Sequence, residues 1–388
     1  MRSKMMRPAR WLWALLPLAL LAVLVVLLLR FGLLGVFQAA FPPVEELTID
    51  RVTLRPGQMV IHVTNGGPHP ATVAQVLVDD AYWEFAIEPD RTIPRLGKVA
   101  ITLSYPWVEG EAHHIRLITS TGLTFKHTVE VAAQSPRVDA RYLATFTLLG
   151  VYVGVIPVFL GLLWFPFLRQ LEERWVAFFL SLTAGLLLFL GVDALREALE
   201  VAGTLPPAYQ GTGLVLVGLV VTILVLIAVS RRVVGGADAV RRRLALAFLI
   251  AIGIGLHNLG EGLAIGAAYS LGKIALGTFL VIGFTIHNTT EGLGIVAPIA
   301  RDRPHLGTLA LLGVVAGVPT ILGAWLGGFN YSPVLATFFL AVGAGAIFQV
   351  VYELIKLMVG ERPALSYQVA GFAAGLLVMY ITGLFVAA

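Results

Sequence analysis

Two short stretches carry residue types that could do chemistry. His257, Asn258, Glu261 and Gly262 form one His-Asn-x-x-Glu-Gly pattern, and His287, Asn288, Glu291 and Gly292 repeat it. On a helix, His and Glu four residues apart share a face, and Asn three residues before Glu joins them. The two histidines are separated by 30 residues, about one membrane crossing plus a tight turn. Both copies are embedded in apolar sequence, GIGLHNLGEGLAIG and GFTIHNTTEGLGIVAP, so the polar groups must sit inside apolar helices. Imidazole, amide and carboxylate in hydrocarbon are costly without partners, which makes a functional role the default reading. Two antiparallel helices turned face to face would offer two imidazoles, two carboxylates and two amide oxygens. That set suits a borderline divalent cation: zinc, iron(II) or manganese. The plainer alternative, that each His–Glu pair only completes its own helix packing, weakens when the pattern occurs twice in adjacent spans.

HNLGEG and HNTTEG resemble the paired HNxPEG signatures of the ZIP (Zrt/Irt-like) metal-ion transporters, which lie on that family's fourth and fifth membrane helices. The resemblance covers about residues 141 to 388 and implies an eight-helix ZIP-like bundle, divalent-metal uptake and a homodimer. Its other matches are weaker. SLTAGLLLFLGVDALREALE places Asp193 and Glu197 at i and i+4, similar to the family's second helix, and suggests an outer position that strips water from a cation; an interfacial helix end with Arg196 as internal partner is the alternative. GAGAIFQVVYELI places Gln349 and Glu353 on one face towards the inner side, an exit or gating position against a structural carboxylate.

The chain also departs from the family. Gly260 and Thr290 stand where a proline usually precedes the signature Glu, and Val318 stands where Glu often precedes the proline of the sixth helix, here Pro319. Glycine still permits a kink, whereas Thr290 would need to back-bond its hydroxyl. The expectation is one strong metal position on His257, Glu261, His287 and Glu291, with Asn258 and Asn288 auxiliary and a binuclear centre doubtful.

The elements that must hold these groups follow from composition. Hydrophobic residues make up 58% and charged residues 13% of the 388, with a mean hydropathy of +0.87. Ordinary soluble domains carry about 25% charged residues, so this composition belongs to an integral membrane protein. With no cysteine there is no disulfide, thiolate ligand or Cys nucleophile. The net charge of +4 reflects orientation in a membrane and gives no reason to invoke nucleic acid.

Residues 1–40 read as a basic end followed by an apolar run from Trp11 to Leu29, longer than a cleaved signal's core of about 7–15 residues; this favours an uncleaved anchor, with cleavage near Ala39–Ala40 as the alternative. Residues 44–133 change to seven alternating Val/Ile/Thr-rich runs separated by turn signals such as RPG and NGGPHP, predicting an exported β-sandwich of immunoglobulin-like or cupredoxin-like type. Five of the eight histidines lie there: His62, His69, His113, His114 and His127. They suggest either a metal trap or, preferably, unrelated surface and strand-face histidines, since adjacent His113 and His114 must point to opposite faces. After a short linker at 134–137, residues 141–388 hold eight apolar segments long enough to cross about 30 Å of hydrocarbon. Arginines concentrate in alternate turns, placing the multi-pass chain in the cytoplasmic membrane with the sandwich outside.

No enzyme is expected. An intramembrane metallohydrolase needs a general base, as HExxH supplies, and HNxxE has Asn there. The second rival is a non-transporting metal-binding or metal-sensing membrane protein. No resident cofactor is expected beyond the bound or carried metal.

Overall fold

The computed structural model describes residues 8–31, 44–234, 238–271, 273–360 and 365–387. Helix α1 (Pro8–Phe31) covers the expected apolar run and belongs to a compact unit, Met1–Glu45, distinct from Glu46–Ala388. The alternative cleavage position at Ala39–Ala40 and the basic residues Arg2, Lys4 and Arg7 lie outside the described residues.

Nine strands follow: β1 (Leu47–Arg55), β2 (Gln58–Asn65), β3 (Ala71–Val78), β4 (Ala81–Tyr82), β5 (Phe85–Glu88), β6 (Thr92–Ile93), β7 (Lys98–Leu103), β8 (His113–Thr119) and β9 (Thr124–Val129). They form two antiparallel sheets, ordered β1-β2-β7-β5 and β4-β3-β8-β9, with β6 pairing β3. Alternation explains the core, because successive side chains leave a strand on opposite faces. Met59, Ile61, Val63, Ile101 and Leu103 of one sheet meet Val73, Val76, Ile115 and Leu117 of the other. The sequence predicts seven strands; the YWEFAI run divides into β4 and β5, and part of the EPDRTIP turn forms β6. The RPG signal is a two-residue turn between paired Arg55 and Gln58, with Gly57 at φ +68° where a side chain would be strained.

Among the described residues, eight helices are long and apolar enough to cross a membrane, matching the count read from the sequence for residues 141–388 and making this a multi-pass membrane protein. They are α2 (Ala140–Leu168), α3 (Glu173–Gly203), α4 (Gly211–Val234), α5 (Ala239–Ser270), α6 (Ile274–Val296), α7 (Leu306–Phe329), α8 (Pro333–Gly360) and α9 (Leu365–Ala387). Two are irregular. In α2 the residues Val151–Val155 form a π turn just before Pro157, and α7 is divided at Val318 by Pro319. Both follow from proline, which lacks an N–H and crowds the carbonyl four residues back.

Small residues set the helix pairing. Gly262 and Gly266 of α5 lie against the backbone of α7, whose Gly323 and Gly327 return the contact; Gly292 of α6 meets Gly161 of α2. Such spacings let backbones approach closely where lipid gives no hydrophobic drive for association. Likewise α3 packs on α9 through Gly185, Gly371 and Gly375, and α8 packs on α4 through Gly345 and Gly218. The pairs are related: α2 on α6 corresponds to α7 on α5, and α3 on α9 to α8 on α4. Along their length Phe146 of α2 lies against Gly328 of α7, Gly154 against Thr320 and Phe159 against Gly313, so these two helices run in opposite directions and the paired packing is inverted.

The β domain covers one end of the bundle. Gly66 touches Pro206 after α3, and the linker is pinned by a reciprocal pair in which the Leu54 N–H donates to Ser135 Oγ (2.9 Å) and the Ser135 N–H to the Leu54 carbonyl (3.0 Å).

Candidate metal centre

Helix α5 presents His257, Asn258 and Glu261, and α6 presents His287, Asn288 and Glu291; all six are buried. Both helices run unbroken through the signature, so neither Gly260 nor Thr290 interrupts the hydrogen-bond ladder. Thr290 does back-bond, its hydroxyl donating to the His287 carbonyl at 2.6 Å, but the helix stays continuous where the sequence expects that bond to permit a kink.

The two copies are not used equally. Glu261 Oε1 faces both rings, with His257 Nε2 at 3.1 Å and His287 Nε2 in a shorter contact, and Oε2 accepts from Asn288 Nδ2 at 3.0 Å. Neither oxygen of Glu291 has a hydrogen-bond partner, although the side chain is buried. Asn258 Oδ1 and Asn288 Oδ1 are also unpartnered. Among the described residues, His257, His287 and Glu291 form the one group whose ligand atoms could share a metal ion, lying within 4.8 Å of one another.

This donor set fits a cation. A buried carboxylate with no donor is costly by several kcal/mol, and the amide oxygens beside it add acceptors without donors. With both carboxylates ionised and both imidazoles neutral, the site carries two negative charges that a divalent ion would neutralise. The ligand types, imidazole nitrogen with carboxylate oxygen, match zinc and its first-row neighbours. Glu261 is placed to orient the two rings, since a ligating imidazole is commonly steered by a carboxylate.

The structure also supplies partners that the signatures alone do not name. Asn288 Nδ2 donates to the Val153 carbonyl (3.0 Å), the group freed by Pro157 four residues later in the π turn of α2. Asn258 Nδ2 donates to the Ala316 carbonyl (3.0 Å), one residue from the carbonyl freed by Pro319 in α7. Broken helix ladders therefore occur beside the site, but in its neighbours. The signal was present as Pro157 and Pro319, although nothing local pairs them with Asn288 and Asn258.

The accessory residues separate. Asp193 is exposed and ion-paired with Arg196 at 3.5 Å, which also reaches Glu200 at 3.6 Å. Glu197 is half-buried and near enough to Tyr331 that its carboxylate, after burial, raises the phenol's pKa. Gln349 is buried, its amide donating to Glu353 Oε1 at 3.3 Å, and Glu353 also accepts from Ser230 of α4 at 2.7 Å. Neither pair shares a hydrogen bond with the central six, although Glu197 lies near enough to feel the charge of Glu261. The sandwich histidines do not gather either. His113 is buried, with Nδ1 2.8 Å from Asp79, while its neighbour His114 is exposed on the opposite face beside Thr128. Asp79, exposed but partly desolvated, is held below its usual pKa by the His114 N–H, His113 and Tyr105.

No family model matches the chain, and no curated protein matches it.

Proposed function

We propose that this chain carries a divalent metal cation, zinc first with iron or manganese as alternatives, across the cytoplasmic membrane towards the cytoplasm. The observation that carries the reading is Glu291: a carboxylate without a donor, buried in apolar helices beside two imidazoles that a second carboxylate already orients. A protein keeping such a group bare has a use for a cation there. The resemblance of HNLGEG and HNTTEG to the ZIP signatures, and the inverted pairing around α5 and α6, support the same reading and suit alternating access around a central site.

In this proposal His257, His287 and Glu291 bind the ion first, Glu261 orients the rings and joins as the ion settles, and Asn258 and Asn288 lend amide oxygens. The ion approaches past Asp193 and Glu197 and leaves past Gln349 and Glu353. The β domain, an immunoglobulin-like or cupredoxin-like sandwich, lies on the extracytoplasmic side, because the arginine-rich turns belong to the opposite end of the bundle. The assembly is a homodimer, the reaction is transport, and no bond in a substrate is made or broken.

The experiment is zinc entry into liposomes holding the purified protein, beside His257→Ala/His287→Ala. Flux in the wild type and loss of at least about tenfold in the variant are expected, since two of the metal's ligands are removed. Equal flux from both would overturn the central site. Tight binding without flux would move the reading to a metal-binding or sensing protein. Entry should also weaken as pH falls, because imidazole and carboxylate must be deprotonated to ligate.

A further inference from the structure

We propose that the basic face of the β domain, the linker before α2 and the ends of α5 and α7 enclose a binding site for a phosphate-type oxyanion. Strand β1 places Arg51, Thr53 and Arg55 on one face at two-residue spacing, with Arg51 opposite His62 and Arg55 opposite Gln58 on β2. The opposite face of these strands supplies the sandwich core through Leu54, Met59 and Ile61. The alternation that builds the core therefore turns the arginines towards the bundle.

Between that face and the bundle end lies a cavity of about 610 Å³. Arg51, Arg55 and His62 line it from the sheet, Arg137 from the linker, and Ser270 and Tyr331 from the helix ends. No Asp or Glu is among its described lining residues, and none of the three arginines forms an ion pair with a described carboxylate. The nearby acids Asp50 and Glu88 face a neighbouring cavity of about 860 Å³, which Arg51 and His62 also line and where Asp50 accepts from Thr64 at 2.5 Å beside Lys98. The positive field is felt by His62, whose pKa is pushed down to about 4 by burial and then by Arg51 and Arg55.

Three guanidinium groups meet in one cavity lined by no described carboxylate, and only Arg51 is also felt by an acid of the neighbouring cavity, Asp50; the balance excludes a cation and favours an anion. Guanidinium forks match the oxygens of phosphate, and hydroxyls can add donors. The cavity lies where the spans end, the depth at which lipid phosphates lie, so the oxyanion is either an anionic lipid headgroup or soluble phosphate.

The test uses the full chain, delipidated in detergent and then incubated with equimolar phosphatidylglycerol and phosphatidylcholine, and reads bound lipid by native mass spectrometry and, in separate samples, unfolding temperature with added phosphate at matched ionic strength. The variants are Arg51→Gln/Arg55→Gln/Arg137→Gln, the same three positions changed to Lys, and Arg95→Gln/Lys126→Gln as a control outside both cavities. Retention of phosphatidylglycerol over phosphatidylcholine identifies a lipid headgroup; stabilisation by inorganic phosphate over chloride identifies a soluble ion. In either case binding should weaken about tenfold or more in the Gln variant, less in the Lys variant, and not in the control. Absence of both signals in the wild type, or equal loss in the control, overturns the proposal. If the Gln variant fails to elute as folded protein, the Lys variant decides: unchanged binding there overturns the bidentate role of arginine.

Discussion

Glu261 and Glu291 occupy equivalent places in a repeated pattern, yet their surroundings divide the work. Glu261 receives both imidazoles on one oxygen and an Asn288 amide on the other, so Glu261→Gln, which keeps one acceptor oxygen and turns the other into an NH2 donor, leaves either the two rings or the Asn288 amide without its acceptor. It should cost about 1–3 kcal/mol, the penalty for buried groups losing partners, seen as a lower unfolding temperature without metal. Neither oxygen of Glu291 has a donor in hydrogen-bond geometry, although the Asn258 side chain lies beside it. Glu291→Gln should leave the metal-free protein as stable as the wild type or more so, because a buried charge disappears, while abolishing the stabilisation given by added zinc. Thermal unfolding of both variants with and without zinc checks this, and similar behaviour of the two would contradict the division. Chemically the residues are identical; what differs is which donors the fold delivers to each.

Helix irregularity and site geometry meet at the level of elements. The two α5 and α6 signatures lack the prolines of the family they resemble, and both helices are continuous there. Prolines instead break α2 and α7, the helices on which Gly292 and Gly262 allow α6 and α5 to pack closely. Asn288 takes the carbonyl that Pro157 leaves without a helical donor. Asn288→Ala should therefore destabilise the protein by about 1–3 kcal/mol. Much of that cost should vanish in a Pro157→Ala background, where residue 157 regains an N–H for Val153. A double-mutant cycle of unfolding free energies measures the coupling, and simple additivity would mean that Asn288 and the π turn are independent.

Across the whole molecule, the sandwich is part of the structure that closes one end of the bundle. Its His62 lies in that junction, lining both cavities. Its folded pKa of about 4 is below the ordinary 6.5, so the folded state resists protonation that the unfolded chain accepts. The contribution is fully present above about pH 6.5 and is lost as pH falls towards about 4. His62→Gln should flatten that part of the stability profile; Asp50, whose carboxyl burial raises, works in the opposite sense and remains in both proteins. Unfolding free energies of the two proteins from pH 7 to 4.5 give the difference, and a constant difference would remove His62 from the account. The ring is only half-buried, so the effect is screened and smaller than its full shift would give.

The local code of the chain was sufficient for the elements. Eight apolar runs, alternating β strands and the two His-Asn-x-x-Glu-Gly faces are legible because hydrophobic periodicity and i, i+4 spacing act within a few residues. Short β6 escaped that reading and β4 was merged with β5 in one run, since two residues carry no period. The same code brought His257, Asn258 and Glu261 together with no tertiary information, as it did their repeats. It could not say that Glu261 would be satisfied and Glu291 bare, or that Asn288 would find Val153, 135 residues earlier. Nor could it turn the Arg51 face of the sheet towards the ends of α5 and α7. These outcomes depend on how close glycine lets two backbones come and on which helix end lies beneath which strand, quantities fixed only when distant segments share one packed volume.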